Sequence, residues 1–145
     1  MPAIAPSRLA GLLLALAATV SAQQSVAVRR QLGNVAIALS DRRVELAMDS
    51  FDKSFDGYSQ LRTYFNGLVE AYAVVNELDV LDEDITGNEA TLTVHWTLTL
   101  SDRVSGVSEN REQDVTIKLS MKKQGWRIVD LSPLEFFNPD QHQSK

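Results

Sequence analysis

Residues 90–100, ATLTVHWTLTL, alternate apolar and polar side chains without a break. Successive side chains of a strand point to opposite faces, so this segment reads as a β-strand with one face buried and the other turned outward. Ala90, Leu92, Val94, Trp96, Leu98 and Leu100 then face a core, and Thr91, Thr93, His95, Thr97 and Thr99 share the opposite side. The rest of the chain has to supply strand partners for this segment and a cover for its apolar face.

The partners are legible on both sides. Val74 to Leu81 begins a strand that reaches residues 90–100 through a Gly87-Asn88 turn. After a polar loop over residues 101–112, Val115, Ile117, Leu119 and Met121 alternate with Thr116, Lys118 and Ser120, and Lys123 to Gly125 turn the chain into a last strand from Trp126. The cover comes from the N-terminal half. From Ser25, the spacing of Val28, Leu32, Val35 or Ala36, and Leu39 predicts a first helix, with Gly33 its weak point. Ser40 is the expected cap of a short second helix that aligns Val44, Ala47, Met48 and Phe51. Ser59 is the expected cap of a third, in which Leu61, Tyr64, Phe65, Leu68, Val69 and Tyr72 form the strongest helical stripe of the chain. Helices followed by an antiparallel meander predict an α+β domain with the helices on one face of the sheet.

Ahead of this domain, Arg8, the apolar run from Leu9 to Val20 and the small residues Val20-Ser21-Ala22 have the pattern of a secretory signal, residues 1–22, cut before Gln23. The run is shorter than the roughly 20 residues of a bilayer span, so the expectation is an exported protein, periplasmic or secreted, with no membrane segment after cleavage. There is no cysteine, so neither a lipid anchor on sulfur nor a disulfide framework is open to it, and the core alone must hold the fold. Residues 23–138 are expected to form one domain, and residues 139–145 a polar tail. The formal charge is −5, and losing Arg8 makes the mature domain more negative still; with no basic run longer than Arg42-Arg43 or Lys122-Lys123, nucleic acid is not an expected partner.

Two stretches carry the resemblance to a known family. ITGNEATLTVHW is similar to a hairpin, and VTIKLSMKKQGWRIVDLSP to the closing pair of strands, of the nuclear-transport-factor-2-like (NTF2-like, SnoaL-like, cystatin-like fold) domains. The resemblance covers about residues 31–137 and implies a curved antiparallel sheet with N-terminal helices packed on its concave face. It does not settle function, because this scaffold hosts enzymes, binding modules and assembly domains.

His95 stands out as the only histidine apart from His142 near the C-terminus. Alternation sends it to the outer face, away from the cavity side of such a fold, and no second histidine, cysteine or carboxylate lies at ligand spacing nearby in sequence, so neither metal nor cofactor is expected. Asp82, Asp84, Thr86 and Gly87 imitate the start of a calcium loop, but Thr93 stands where the bidentate glutamate belongs. A ligand pocket is expected from Phe51, Phe55, Tyr64, Trp96, Trp126 and Asp130. The isomerase branch of the family needs a carboxylate base and a hydrogen-bonding acid or phenol in such a pocket. Candidates here are Asp52, Asp56 and Asp130 for the base and Tyr58 and Tyr64 for the phenol, while the inward residues of the penultimate strand offer no acid. The expectation is a non-catalytic domain binding a small hydrophobic ligand or a protein partner, as a homodimer. An isomerase-like enzyme and an envelope assembly domain are the alternatives.

Overall fold

The computed structural model describes the backbone of residues 5–141 and the side chains of residues 20–141. Three helices precede four strands: α1 (Ala5–Ser40), α2 (Val44–Met48), α3 (Tyr58–Ala71), β1 (Tyr72–Thr86), β2 (Glu89–Asp102), β3 (Ser108–Lys122) and β4 (Gly125–Ser132), closed by a 3-10 turn over Leu134–Phe137. The strands form one antiparallel sheet in the order β1-β2-β3-β4. The expected α+β architecture is the observed one.

β2 is the central ruler. Leu92, Val94, Trp96, Leu98 and Leu100 are buried against the helices, and the threonines and His95 lie on the outer face. β1 and β3 extend beyond their expected limits, and the polar loop expected over residues 101–112 contracts to a short turn after Asp102. This turn is organised locally: the Asp102 carboxylate accepts from the backbone N–H groups of Val104 and Ser105 at 2.8 and 2.9 Å. The Gly87 turn forms where expected, and Gly87 takes φ 61°, a conformation that an L side chain resists.

Two bulges adjust the faces. Leu81 is an extra residue between Val80 and Asp82, and beyond it Glu83 pairs with Leu92 on the helix side. There it holds α1 down, accepting from Arg29 Nε and Ser25 Oγ at 2.9 Å. Val129 is the second extra residue, between Ile128, which pairs with Leu119, and Asp130, which pairs with Lys118.

α1 begins at Ala5 rather than Ser25 and runs without a break through Ala22 and Gln23; its first half is rich in Ala and Leu, the residues that propagate a helix best. Ser40 does not cap α2. Arg43 holds that position with no side-chain bond, and the Ser40 hydroxyl instead accepts from Asn76 Nδ2 at 3.3 Å. Ser59 does not cap α3 either, since the helix starts one residue earlier behind Gly57. Tyr72 leaves the helical stripe and opens β1 in extended conformation.

The two outer strands end differently. β4 is bordered by residues 50–52, where Ile128 N–H donates to the Ser50 carbonyl and Asp52 N–H to the Ile128 carbonyl, both at 2.8 Å. Among the described residues β1 has no strand on its far side. Among the described residues no helix is long and apolar enough to cross a membrane.

Candidate functional site

The helix side of the sheet is filled by the protein's own rings. Phe137 meets Trp96, Phe65 and Phe136 edge-on, with centroids 5.1, 5.4 and 5.0 Å apart, and Phe65 in turn meets Phe51. The Trp96 indole N–H donates to Asn76 Oδ1 at 2.9 Å, and Asn76 Nδ2 donates to the Ala36 carbonyl at 3.0 Å, so the one polar edge of the tryptophan is satisfied within the core. Trp96 is 1 % exposed. The expected pocket residues therefore do not line one cavity. Phe51, Phe55 and Trp96 belong to this packed core, Trp126 lies at the far end of the sheet near Gln23, Ala27 and Gln31 of α1, and Asp130 is turned to the outer face beside Lys118 by the Val129 bulge.

The residue that keeps Phe137 in place is Arg111, which falls where the sequence predicts a polar loop. It sits on β3 opposite Leu98 and is 0 % exposed. Its Nη1 donates to the carbonyls of Asn138 at 2.6 Å and Phe136 at 3.3 Å, and its Nη2 to the Pro139 carbonyl at 3.1 Å and Glu109 Oε1 at 3.4 Å. Its Nε has no partner among the described residues. A guanidinium is well shaped for this task, because its fork reaches several carbonyls at and just beyond the end of the 3-10 turn. Pro139 also packs closely on α3: a methyl added at Gly67 would stand 2.7 Å from its ring. Pro139 thus lies against α3, whereas His142 lies outside the described residues.

Outside this core, a cleft of about 400 Å³ brings together Phe51, Asp52 and Tyr58 with Lys53, Lys122 and Arg127. The bridge between residues 50–52 and β4 positions Asp52 there. Its Oδ1 accepts from Ser54 N–H at 3.3 Å, and its Oδ2 lies 3.3 Å from Lys122 Nζ. The backbone bond from Ser54, helped by Ser54's side chain and Lys122, holds its carboxyl below the usual range. A carboxylate held in this way is a poor proton acceptor at neutral pH. Asp56 is exposed in the adjoining loop.

Tyr64 lies elsewhere. Its hydroxyl donates to Glu135 Oε1 at 2.6 Å and accepts from Gln60 Nε2 at 2.7 Å, and Glu135 pushes the phenol up. Glu135 in turn is lowered by Tyr64 and Asn138.

On the outer sheet face, His95 Nδ1 lies 2.8 Å from Asp114 Oδ1 and Nε2 3.4 Å from Glu112 Oε1. Asp114, followed by Glu112, raises the imidazole above its ordinary value. These acids come from β3, across the sheet, which is why inspection of the sequence near His95 did not find them. Among the described residues no three histidine, cysteine or acidic side chains are grouped so as to hold a metal.

No family model matches the sequence, and no curated protein matches it. Solved structures do resemble its fold. A protein of unknown function from Mycobacterium tuberculosis superposes with a TM-score of 0.67 at 15% identity, over 79% of this chain and 72% of that one. An NTF2-like superfamily protein from Salmonella enterica gives 0.63 at 16% identity, over 78% and 89% of the two chains. A ketosteroid isomerase-like protein from Erwinia carotovora gives 0.62 at 9% identity, over 73% and 91%. The helices and curved antiparallel sheet are therefore those of the NTF2-like, cystatin-like fold.

Proposed function

We propose that this NTF2-like fold serves as a non-catalytic binding domain of an exported protein, taking its ligand or partner at its surface and acting as a homodimer. The observation that carries the reading is the packing of Phe137 against Trp96, Phe65 and Phe136. A concave interior occupied by the chain's own rings leaves no room there for a substrate to meet a base.

The chemistry of the candidate residues agrees. Asp52 is committed to Ser54 and Lys122, and the Tyr64 phenol is bonded to Glu135 away from Asp52, so these two candidates do not form a base and phenol pair in one pocket. The outer sheet face, with Thr93, Thr97 and Thr99 half-buried around His95, is the surface offered to a second copy. Export is supported by the apolar run ending in Val20-Ser21-Ala22. Light scattering on the purified protein should give a dimer, and an apolar ligand panel should raise its melting temperature. A monomer that no ligand stabilises would sink the reading.

One observation favours an enzyme instead: Asp52 and Tyr58 line the same cleft. That reading requires a turnover abolished by Asp52→Asn and Tyr58→Phe alike.

A further inference from the structure

A separate cleft of about 340 Å³ lies between α1, α2 and the start of β4, outside the filled interior, and adjoins the Asp52 cleft through Asp49 and Arg127. Its volume is within the range of small-molecule sites. Ser50 is the informative residue. It is 3 % exposed and lines this cleft; its N–H and carbonyl are taken by Ala47 and Ile128, and its hydroxyl has no hydrogen-bond partner among the described residues. Unbonded at the cleft wall, this hydroxyl can give or accept a bond with a group that enters the cleft.

The other polar groups keep bonding capacity to spare. Arg127 donates Nη1 to the Trp126 carbonyl at 2.8 Å, which fixes the guanidinium, but it pairs with no carboxylate among the described residues. Asp49 contributes a carboxylate that is likewise unpaired, and the side-chain amides of Gln31 and Asn34 have no partner among the described residues. The walls between them are apolar and open: Ile37 is 62 % exposed and Leu46 42 %. One cleft therefore holds a cation, an anion, a hydroxyl at its wall and two amides beside an aliphatic surface.

We infer that this cleft binds a small apolar zwitterion, an amino acid with an aliphatic side chain. The Arg127 guanidinium takes the carboxylate, Asp49 the ammonium, and the Ser50 hydroxyl and the amides of Gln31 and Asn34 complete the bonds, while Ile37 and Leu46 flank the side chain. The assignment rests on the reading of the chain as a binding protein, though not on its dimerisation.

Calorimetric titration of the full chain with leucine, N-acetylleucine and leucinamide tests it. Leucine should bind saturably, and each analogue, lacking one of its two charges, about tenfold or more weakly. Arg127→Gln and Ser50→Ala should weaken leucine by about tenfold, with Arg127→Lys recovering part of the loss, and circular dichroism confirming that each variant is folded. Asp49→Asn should weaken leucine and leave N-acetylleucine unchanged. Absence of leucine binding at millimolar concentration, or equal affinity in folded Arg127→Gln and Ser50→Ala, overturns the inference. If a hydrophobic ligand still stabilises the protein in that case, the cleft assignment falls and the broader binding reading stands.

Discussion

Phe137 stands edge-on to Trp96, with ring centroids 5.1 Å apart and planes at 85°, although 41 positions of sequence separate the two residues. The contact joins the 3-10 turn after β4 to the centre of the sheet, so a segment distant in sequence from the strands' apolar face completes the core. Phe137→Ala should destabilise the domain by about 3–5 kcal/mol, the usual cost of deleting a buried aromatic ring. Urea unfolding followed by tryptophan emission measures this directly, and a loss below about 1 kcal/mol would mean that the ring is not holding the interior closed.

Arg111 is the latch on that turn. Arg111→Ala strands the carbonyls of Phe136 and Pro139, leaves that of Asn138 with only its bond from Gln141 N–H, and should cost about 3 kcal/mol or more. Arg111→Lys should recover little, since one ammonium cannot span carbonyls arranged for a fork. Limited proteolysis of both variants should release the segment after Ser132 sooner than in the parent protein. Equal resistance would rule the latch out.

His95 makes stability depend on pH. Its imidazole is raised by Asp114 and Glu112, so the charged form is favoured in the folded state. That contribution is complete below the unfolded value of about 6.5 and is lost as pH rises through the higher folded value. Urea midpoints of the parent protein and His95→Gln should therefore converge as pH is raised from acid to alkaline. A constant difference would show that the imidazole is not coupled to those acids.

Asp52 behaves in the opposite sense. Its carboxyl is held low by Ser54 and Lys122, so its contribution is present above the unfolded value of about 3.9 and disappears as pH falls through the lower folded one. Asp52→Asn should cost under about 1 kcal/mol at neutral pH, because the pair is partly exposed. The difference from the parent should vanish in acid, and denaturant titration at two pH values checks both parts.

Glu83 ties α1 to the sheet through Arg29 and Ser25. Glu83→Ala should leave the sheet intact and speed hydrogen exchange in α1 around residues 25–32, with uniform exchange across the chain counting against this local role.

How much of this could be read from the sequence depended on how local the causes were. The alternation of residues 90–100 was enough to place Trp96 inside and His95 outside, because strand parity allows one answer once a face is buried. Arg111 escaped because polarity argued for a loop, although counting back by twos from Val115 through Gln113 reaches it on the inner face. Its justification is three backbone carbonyls more than two dozen residues away, and carbonyls carry no sequence mark. Asp130 escaped for another reason: a single extra residue at Val129 reverses the parity of the strand beyond it. Tyr64 fits the helical stripe, but it lies at the margin of the buried face, where Glu135 could capture its hydroxyl.

The unequal ends of the sheet bear on how the protein behaves when concentrated. A free strand edge is a template onto which another chain can add. On β4 the template is interrupted at Ile128, by its bonds to Ser50 and Asp52. On β1 it is studded with the exposed acids Glu77 and Asp79 and bent at Leu81, so a second copy approaching edge to edge would bring like charges together along an irregular ladder. Fibril growth is thereby disfavoured in both directions, and the sheet remains four strands wide.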